Sequence, residues 1–361
     1  MRISWTSASR VLICLGILLG APLLPSGAAD SVAGAPDRTA SAVRNATSRI
    51  PDRLPQPDLA SVKCLSTGLC VAVGMVNSHT FKAASLRSED SGRTWTEQTL
   101  AVKGLSRVSC PSAALCVALS VQGVILRSGD GGRTWTSQAI ATEPLLTGVS
   151  CPSIALCVAV GGYVLSDGGI ILRSGDGGRT WSRQTSGTYL SDVVCSSVRL
   201  CVAVGQASPD TFASVVLRSG DGGRTWTSQT FGANQELAGV SCPNAALCVA
   251  VSYDGNRNRS VVLRSGNGGR TWTSRTIAAA PDLYGVSCPT SALCVAVAFD
   301  GVILRSEDGG RTWISETAGI PKGLEGINCP SAALCLAVGQ GVILRSGDGG
   351  STWSRQTVGA S

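Results

Sequence analysis

The chain has 361 residues, of which 43% are hydrophobic, 15% charged and 4% aromatic, with a net charge of +7. That is too apolar for a disordered chain and too polar for a multi-span membrane protein. The single histidine, His79, excludes two-histidine zinc centres and the two-His-one-carboxylate iron site.

Residues 1–29 read as a secretory signal peptide. Arg2 and Arg10 form its positive end, Val11–Leu24 is apolar, and Ser26-Gly27-Ala28-Ala29 offers small residues for cleavage. The apolar run is short for a spanning helix, so no transmembrane span is expected after cleavage. The expected compartment is extracellular or at the cell envelope. Residues 30–58 hold Pro36, Pro51, Pro55 and Pro57 without hydrophobic periodicity, and read as a flexible linker.

From residue 59 to 358 the chain repeats. Ser-x-(Asp/Asn)-x-Gly-x-Thr-Trp occurs seven times, starting at Ser88, Ser128, Ser174, Ser219, Ser265, Ser306 and Ser346. Cys-x5-Cys also occurs seven times: Cys64/Cys70, Cys110/Cys116, Cys151/Cys157, Cys195/Cys201, Cys242/Cys248, Cys288/Cys294 and Cys329/Cys335. The only other cysteine, Cys14, leaves with the leader. A unit present seven times most simply closes its own pair seven times. Each disulfide, spanning a short loop, contributes ~2 kcal/mol in the chain-entropy view, and secretion suits the oxidised state. Metal binding is the rival reading, but one pair supplies two of the four ligands that a structural zinc site needs. No metal and no cofactor are expected.

Within one unit, strands are predicted at 148–151, 156–160, 170–174 and 180–184, with a tight turn at Gly175-Asp176-Gly177-Gly178. Four antiparallel strands per 40–47 residues is the period of a propeller blade. The fold class is therefore all-β: a seven-bladed β-propeller with one disulfide hairpin and one Asp turn per blade. The whole number of units predicts a ring that closes without strand exchange between the termini. Each motif Trp is expected between blades.

The acids of the turn are Asp90, Asp130, Asp176, Asp221, Asp308 and Asp348, with Asn267 in the fifth copy. A short acid here accepts backbone N–H groups of its own turn, and Asn keeps that oxygen without the charge. Carboxylates spread around a ring cannot form one acid/base pair. A structural role is expected and no catalytic residue is assigned. Thirteen Arg flank the turns: Arg87, Arg127, Arg173, Arg218, Arg264, Arg305 and Arg345 before the Ser, and Arg93, Arg133, Arg179, Arg224, Arg270 and Arg311 before the Thr. They are expected to stack on rings or pair with turn acids; the sharper alternative is a basic ring for an acidic partner. Their even spacing argues against nucleic-acid binding.

Ser-Gly-Asp-Gly-Gly-Arg-Thr-Trp resembles the Asp-box, or bacterial neuraminidase repeat. The longer unit, Gly-Val-Ser-x9-Val-Ala-Val-Gly through Gly-Val-Ile-Leu-Arg-Ser to the box, is similar to that of the photosystem II stability/assembly factor family. That resemblance implies a seven-bladed propeller without enzymatic activity that helps to assemble a membrane complex. The Cys-x5-Cys pairs depart from that family. Asp-boxes also occur in sialidases, which carry a Phe/Tyr-Arg-Ile-Pro element and a Tyr–Glu pair. Here Arg49-Ile50-Pro51 follows Ser48 in the linker, and Tyr163, Tyr189, Tyr253 and Tyr284 have no evident Glu partner.

Hairpins and Asp turns should share one end of the ring, and the loops between second and third strands the other. Loops at 74–85, 161–169, 205–214 and 252–260 are the long ones, and length variation in a uniform repeat is where function is placed. The predicted partner-binding residues are His79, Tyr163, Asp167, Asp210, Phe212, Tyr253, Asp254, Arg257 and Arg259. The expected protein is a secreted, monomeric, non-catalytic scaffold for a protein or cell-surface glycan. The alternative is a sialidase-type hydrolase or glycan-binding module.

Overall fold

The computed structural model describes residues 56–76, 81–140, 145–162, 168–207, 213–232, 235–253, 259–278, 282–317, 319–320 and 323–358. Twenty-eight strands form seven four-stranded antiparallel sheets, each made of four consecutive strands. The first strands are β1 (Asp58–Cys64), β5 (Leu105–Ser112), β9 (Leu145–Ser150), β13 (Tyr189–Cys195), β17 (Glu236–Ser241), β21 (Leu283–Ser287) and β25 (Leu324–Asn328). Each touches the first strand of the next blade, and β25 returns to β1, so they ring the axis. Among the described residues there is no helix, and so none long and apolar enough to cross a membrane.

The sequence of each strand matches its radius. Second strands such as β10 (Cys157–Gly162) are packed on both faces and read as unbroken small and β-branched runs. Fourth strands such as β8 (Thr136–Ala139), Thr-Ser-Gln-Ala, are exposed throughout and polar. Their polar outer edge discourages pairing with another chain. Seven apolar clusters lie between the sheets, each joining two neighbouring blades and one motif Trp. Val71 and Val73 of blade one, for example, pack with Leu105, Val108 and Trp135 of blade two. No blade buries both faces alone, and the closed ring does.

All seven disulfides form within their own hairpins, with Cα atoms 4.0–4.2 Å apart. Their surroundings add to the sequence reading, which gives them as hairpin disulfides. The second member of each pair, Cys70, Cys116, Cys157, Cys201, Cys248, Cys294 or Cys335, is 0% exposed. Each lies at the start of a second strand and belongs to one of the clusters between blades. The first members, Cys64, Cys110, Cys151, Cys195, Cys242, Cys288 and Cys329, are buried as well. The physical reason is that a second strand is covered on both faces by neighbouring blades, and a disulfide sulfur there packs as a small apolar group. These cysteines are core, and none presents sulfur to a partner at the surface.

The ring closes without strand exchange. Its seam is held by the Cys64 N–H donating to Asn328 Oδ1 at 2.8 Å, and by Arg345 Nε donating to the Ser91 carbonyl at 2.9 Å. Two isolated bridges, Asp58–Gln340 and Trp95–Val358, also span it.

Two further details differ from the sequence reading. The fourth strand of blade three is β12 (Ser182–Thr185), two residues late. Thr180 is bound into the turn, because its N–H and hydroxyl both donate to Asp176. Every first strand also carries a bulge, at Ala60, Ser106, Thr147, Ser191, Ala238, Tyr284 and Glu325, four residues before its first Cys. A bulge increases local twist and redirects one side chain. Here the redirected Ser106 and Thr147 hydroxyls donate to Leu146 and Leu190 carbonyls of the next blade.

Blade one departs from the repeat at Ser85, where the other blades place Ile125, Ile171, Val216, Val262, Ile303 and Ile343. Ser85 is 1% exposed and its hydroxyl has no partner among the described residues. An unsatisfied buried hydroxyl costs about 1–3 kcal/mol. Ser85→Val, which installs the residue of blades four and five, is expected to raise the melting temperature, with a gain of about 1–2 kcal/mol in chemical denaturation.

Candidate functional site

The chemistry-bearing residues gather at the hairpin end of the ring. The Asp turns lie against the hairpins of their own blades: Ser91 N–H donates to the Gly68 carbonyl, Gly177 to Ala155, Gly222 to Arg199 and Gly268 to Ala246. In blade two, the Ser128 hydroxyl donates to Asp130 at 2.7 Å and accepts the Gly132 N–H. Asp130 also accepts the N–H groups of Arg133 and Thr134 and the Thr134 hydroxyl at 2.6 Å. The same pattern recurs in the other acidic copies, and Asn267 repeats the acceptor part of it through its amide oxygen. Both oxygens of each carboxylate are thus engaged within its own turn. Among the described residues no group of three or more His, Cys, Asp or Glu is placed to hold a metal ion.

These bonds lower the acids. The Thr134 hydroxyl and N–H hold Asp130 at about 2, and the corresponding groups of Thr352 hold Asp348 at about 2, with burial opposing. In Asp90 and Asp308 burial is the largest single influence and acts upward, and the Thr94 or Thr312 groups outweigh it. Asp176 and Asp221 are held down chiefly by Thr180 and Thr225. A carboxylate of ~3.9 in the unfolded chain and lower in the folded one stabilises the fold above that value, and the gain is lost as pH falls toward 2. The melting temperature is therefore expected to hold down to about pH 4 and to fall between about pH 4 and 2. Asp348→Asn is expected to shrink that fall, because position 348 then titrates no more than Asn267 does. An equal fall in both proteins would contradict this.

The arginines follow the sequence reading in part: Arg87, Arg133 and Arg305 pair with a turn Glu, and the first arginines share a second use. In all seven blades the first Arg donates Nε to a carbonyl in the turn of the next blade. Arg87 reaches Gly131, Arg127 Gly177, Arg173 Gly222, Arg218 Gly268, Arg264 Gly309, Arg305 Gly349 and Arg345 Ser91, at 2.7–3.0 Å. The acceptors are the turn residues of positive φ, Ser91 at 63° and the glycines at 68–73°. Among the described residues, Arg87 and Arg305 are the two of these seven that also pair with a turn acid, Glu89 at 2.7 Å and Glu307 at 2.6 Å. In the other five turns that position is Gly. The second arginines are exposed, and those of blades one to six donate Nη1 to the carbonyl of their own Asp or Asn.

One boundary differs from the rest. Between blades three and four a cleft of about 570 Å³ is lined by Arg173, Arg199, Arg224, Asp221, Leu156 and Val198, among others. Arg199 stands in the blade-four hairpin where the other hairpins carry Gly68, Ala114, Ala155, Ala246, Ala292 and Ala333. Burial, and then the Arg224 charge, push Arg173 below its ordinary value, with Asp221 opposing. Arg264 and Arg345 show the same pattern at their own boundaries, so Arg199 is what sets this cleft apart. Two aliphatic side chains stand at the tips of the flanking hairpins, Ile154 at 67% and Val198 at 55% exposure. The cleft therefore offers three guanidinium groups and an exposed apolar edge.

Of the predicted partner-binding residues, His79, Tyr163, Asp167, Asp210, Phe212, Asp254 and Arg257 lie outside the described residues. Tyr253 ends β18 (Cys248–Tyr253) and Arg259 opens β19 (Arg259–Ser265), at the end opposite the hairpins; only their backbones are described. Sequence reasoning missed Arg199, Ile154 and Val198. The signal was present as three departures from the Cys-Pro-Ser-Ala-Ala-Leu-Cys hairpin in adjacent units.

The sequence profile of photosynthesis system II assembly factor YCF48 matches residues 112–258. The chain resembles the photosystem II assembly-factor family. A solved structure of YCF48 bound to a D1 peptide shares 17% identity, with a TM-score of 0.62 over 81% of this chain and 94% of that one. YCF48 from Cyanidioschyzon merolae gives 17% and 0.62 over 83% and 98%. A GH74 enzyme of Niastella koreensis gives 14% identity and 0.48 over 82% and 65%. No curated protein matches the sequence. At these identities the structural likenesses to YCF48 establish the fold, which is that of an assembly-factor-like propeller.

Proposed function

We propose that this chain is a secreted, non-catalytic propeller that binds a protein partner in assembly, and that the cleft between blades three and four takes an acidic, partly apolar segment of that partner. The observation that carries this reading is Arg199, which adds a third guanidinium beside Arg173, Arg224 and Val198 where the six other hairpins carry Gly or Ala. Guanidinium forks match carboxylate geometry, and the apolar edge suits a peptide better than a free anion. The related YCF48 propeller that holds a D1 peptide lends support. Closure of each Asp-box carboxylate within its own turn supports a role without catalysis.

The test is fluorescence anisotropy with a labelled peptide alternating Asp and Leu. Saturable binding that weakens with salt and is lost in Arg199→Glu/Arg224→Glu supports the site. Binding lost instead in Tyr253→Ala/Arg257→Ala would move it to the loop end of the ring.

A further inference from the structure

Blade one carries its own anion at the boundary with blade two. Arg87 is tied by Nε to the Gly131 carbonyl, and Arg133 by Nη1 to the Asp130 carbonyl. Between these two guanidiniums stands the Glu89 carboxylate, with Oε1 2.7 Å from Arg87 Nη2 and 2.5 Å from Arg133 Nη2. The boundary between blades four and five holds its two arginines in the same way. Arg218 Nε donates to the Gly268 carbonyl at 2.7 Å, and Arg270 Nη1 to the Asn267 carbonyl at 3.2 Å. The carboxylate is missing there, because Gly220 stands where blade one has Glu89. The space it would fill is open: beyond the chain neighbours, a Cβ at Gly220 would meet one atom within 4 Å, Arg218 Nη1 at 3.5 Å. The acid of the facing turn is missing as well, since position 267 is Asn where the other six turns have Asp. Of the seven boundaries, this is the one that keeps both arginines and has neither acid. Burial, and then the Arg270 charge, push Arg218 below its ordinary value, and among the described residues no acid opposes them. Asp221, Asp308 and Asp90 do oppose the same push on Arg173, Arg264 and Arg345.

We propose that Arg218 and Arg270 form a binding site for a doubly charged phosphate group, whose oxygen takes the place that Glu89 Oε1 takes between Arg87 and Arg133. Guanidinium forks match phosphate oxygens as they match carboxylates. Charge selects the class of ligand. At the boundary of blades one and two, Glu89 and Asp130 together offset both arginines. At the boundary of blades four and five both positive charges are open, and a phosphate monoester or inorganic phosphate, close to doubly charged at neutral pH, offsets both. A sulfate ester, with one charge, offsets half. The bonds to turn carbonyls already hold the two side chains, so little of their freedom is lost on binding.

The test titrates the oxidised, folded chain by calorimetry with inorganic phosphate, with phenyl phosphate and with phenyl sulfate. Saturable phosphate binding is expected, about tenfold tighter than that of phenyl sulfate. A preference for inorganic phosphate marks the free ion as the ligand, and a preference for phenyl phosphate marks a phosphorylated larger molecule. Two variants install residues that other blades already carry, so the fold is expected to stay. Asn267→Asp restores the turn acid, and Arg270→Ser copies Ser351 of blade seven. Each is expected to weaken phosphate binding about tenfold. Neither position lines the cleft between blades three and four, so both variants are expected to keep the Asp/Leu peptide, and the two sites stand or fall separately. Absence of saturable phosphate binding, equal affinity for phenyl sulfate, or unchanged phosphate affinity in either variant overturns the proposal.

Discussion

Arg199→Glu/Arg224→Glu is expected to weaken binding of an acidic peptide at least about 100-fold, while the melting temperature stays within about 2 °C of the parent. The binding loss follows from replacing two attractive charges by two repulsive ones beside Arg173; buried or partly buried charge contacts are worth about 1.5 kcal/mol or more each. The unchanged stability follows from the repeat itself. Position 199 is Ala in five of the other hairpins, and blade seven has Ser351 where the others have the second Arg, with its N–H still bound to Asp348. Arg173 is kept in this variant because its Nε bond to Gly222 ties blade three to blade four. Isothermal titration at two salt concentrations separates the effects: the parent loses affinity with added salt, and the variant has little left to lose. A double variant that binds as tightly as the parent would remove the cleft from the account.

Gly309→Ser is expected to destabilise the protein by about 2–4 kcal/mol in chemical denaturation. Gly309 sits at φ +69°, where a side chain is strained, and its Cβ would lie 2.5 Å from the Ser291 carbonyl of the blade-six hairpin. Blade one shows how the ring accommodates a side chain there. Its turn has Ser91 at φ +63°, facing a hairpin that carries Gly68 at φ +97°. The Gly68 N–H donates to Leu65 instead of following the usual hairpin course, and its carbonyl still receives the Ser91 N–H. Ala292 of blade six corresponds to Gly68. Ala292→Gly added to Gly309→Ser is therefore expected to recover part of the loss, although the same Ala292→Gly alone destabilises slightly. Absence of any recovery would show that the hairpin and turn of blade one are not exchanging roles.

Much of the fold was legible because the same sentence is written seven times. Spacing alone located the blades, the disulfides and the Asp turns, since each unit fixes the reading of the others. What escaped was whatever depends on the neighbouring blade. The complete burial of Cys70 or Cys335 is of this kind, since the covering side chains come from the blade next door. The reach of Arg173 to Gly222 links residues about one repeat apart, and no local pattern announces that the partner is a carbonyl and not an acid. The bulges escaped because Ala60, Thr147 and Glu325 share no residue type; only the register shows them. Ring closure through Asn328 was hidden for the opposite reason, as one substitution in a column of serines. The candidate cleft was visible only as departures from the repeat, in Ile154, Val198 and Arg199, and attention to loop length pointed to the other end of the molecule.

The most direct measurement is a titration of the oxidised, folded chain with the labelled Asp/Leu peptide, run beside a sialoside panel with products read by mass spectrometry. Saturable peptide binding that requires Arg199 and Arg224, with no released sugar, is the expected result. Peptide binding indifferent to those two arginines, or sugar release from the panel, would contradict it.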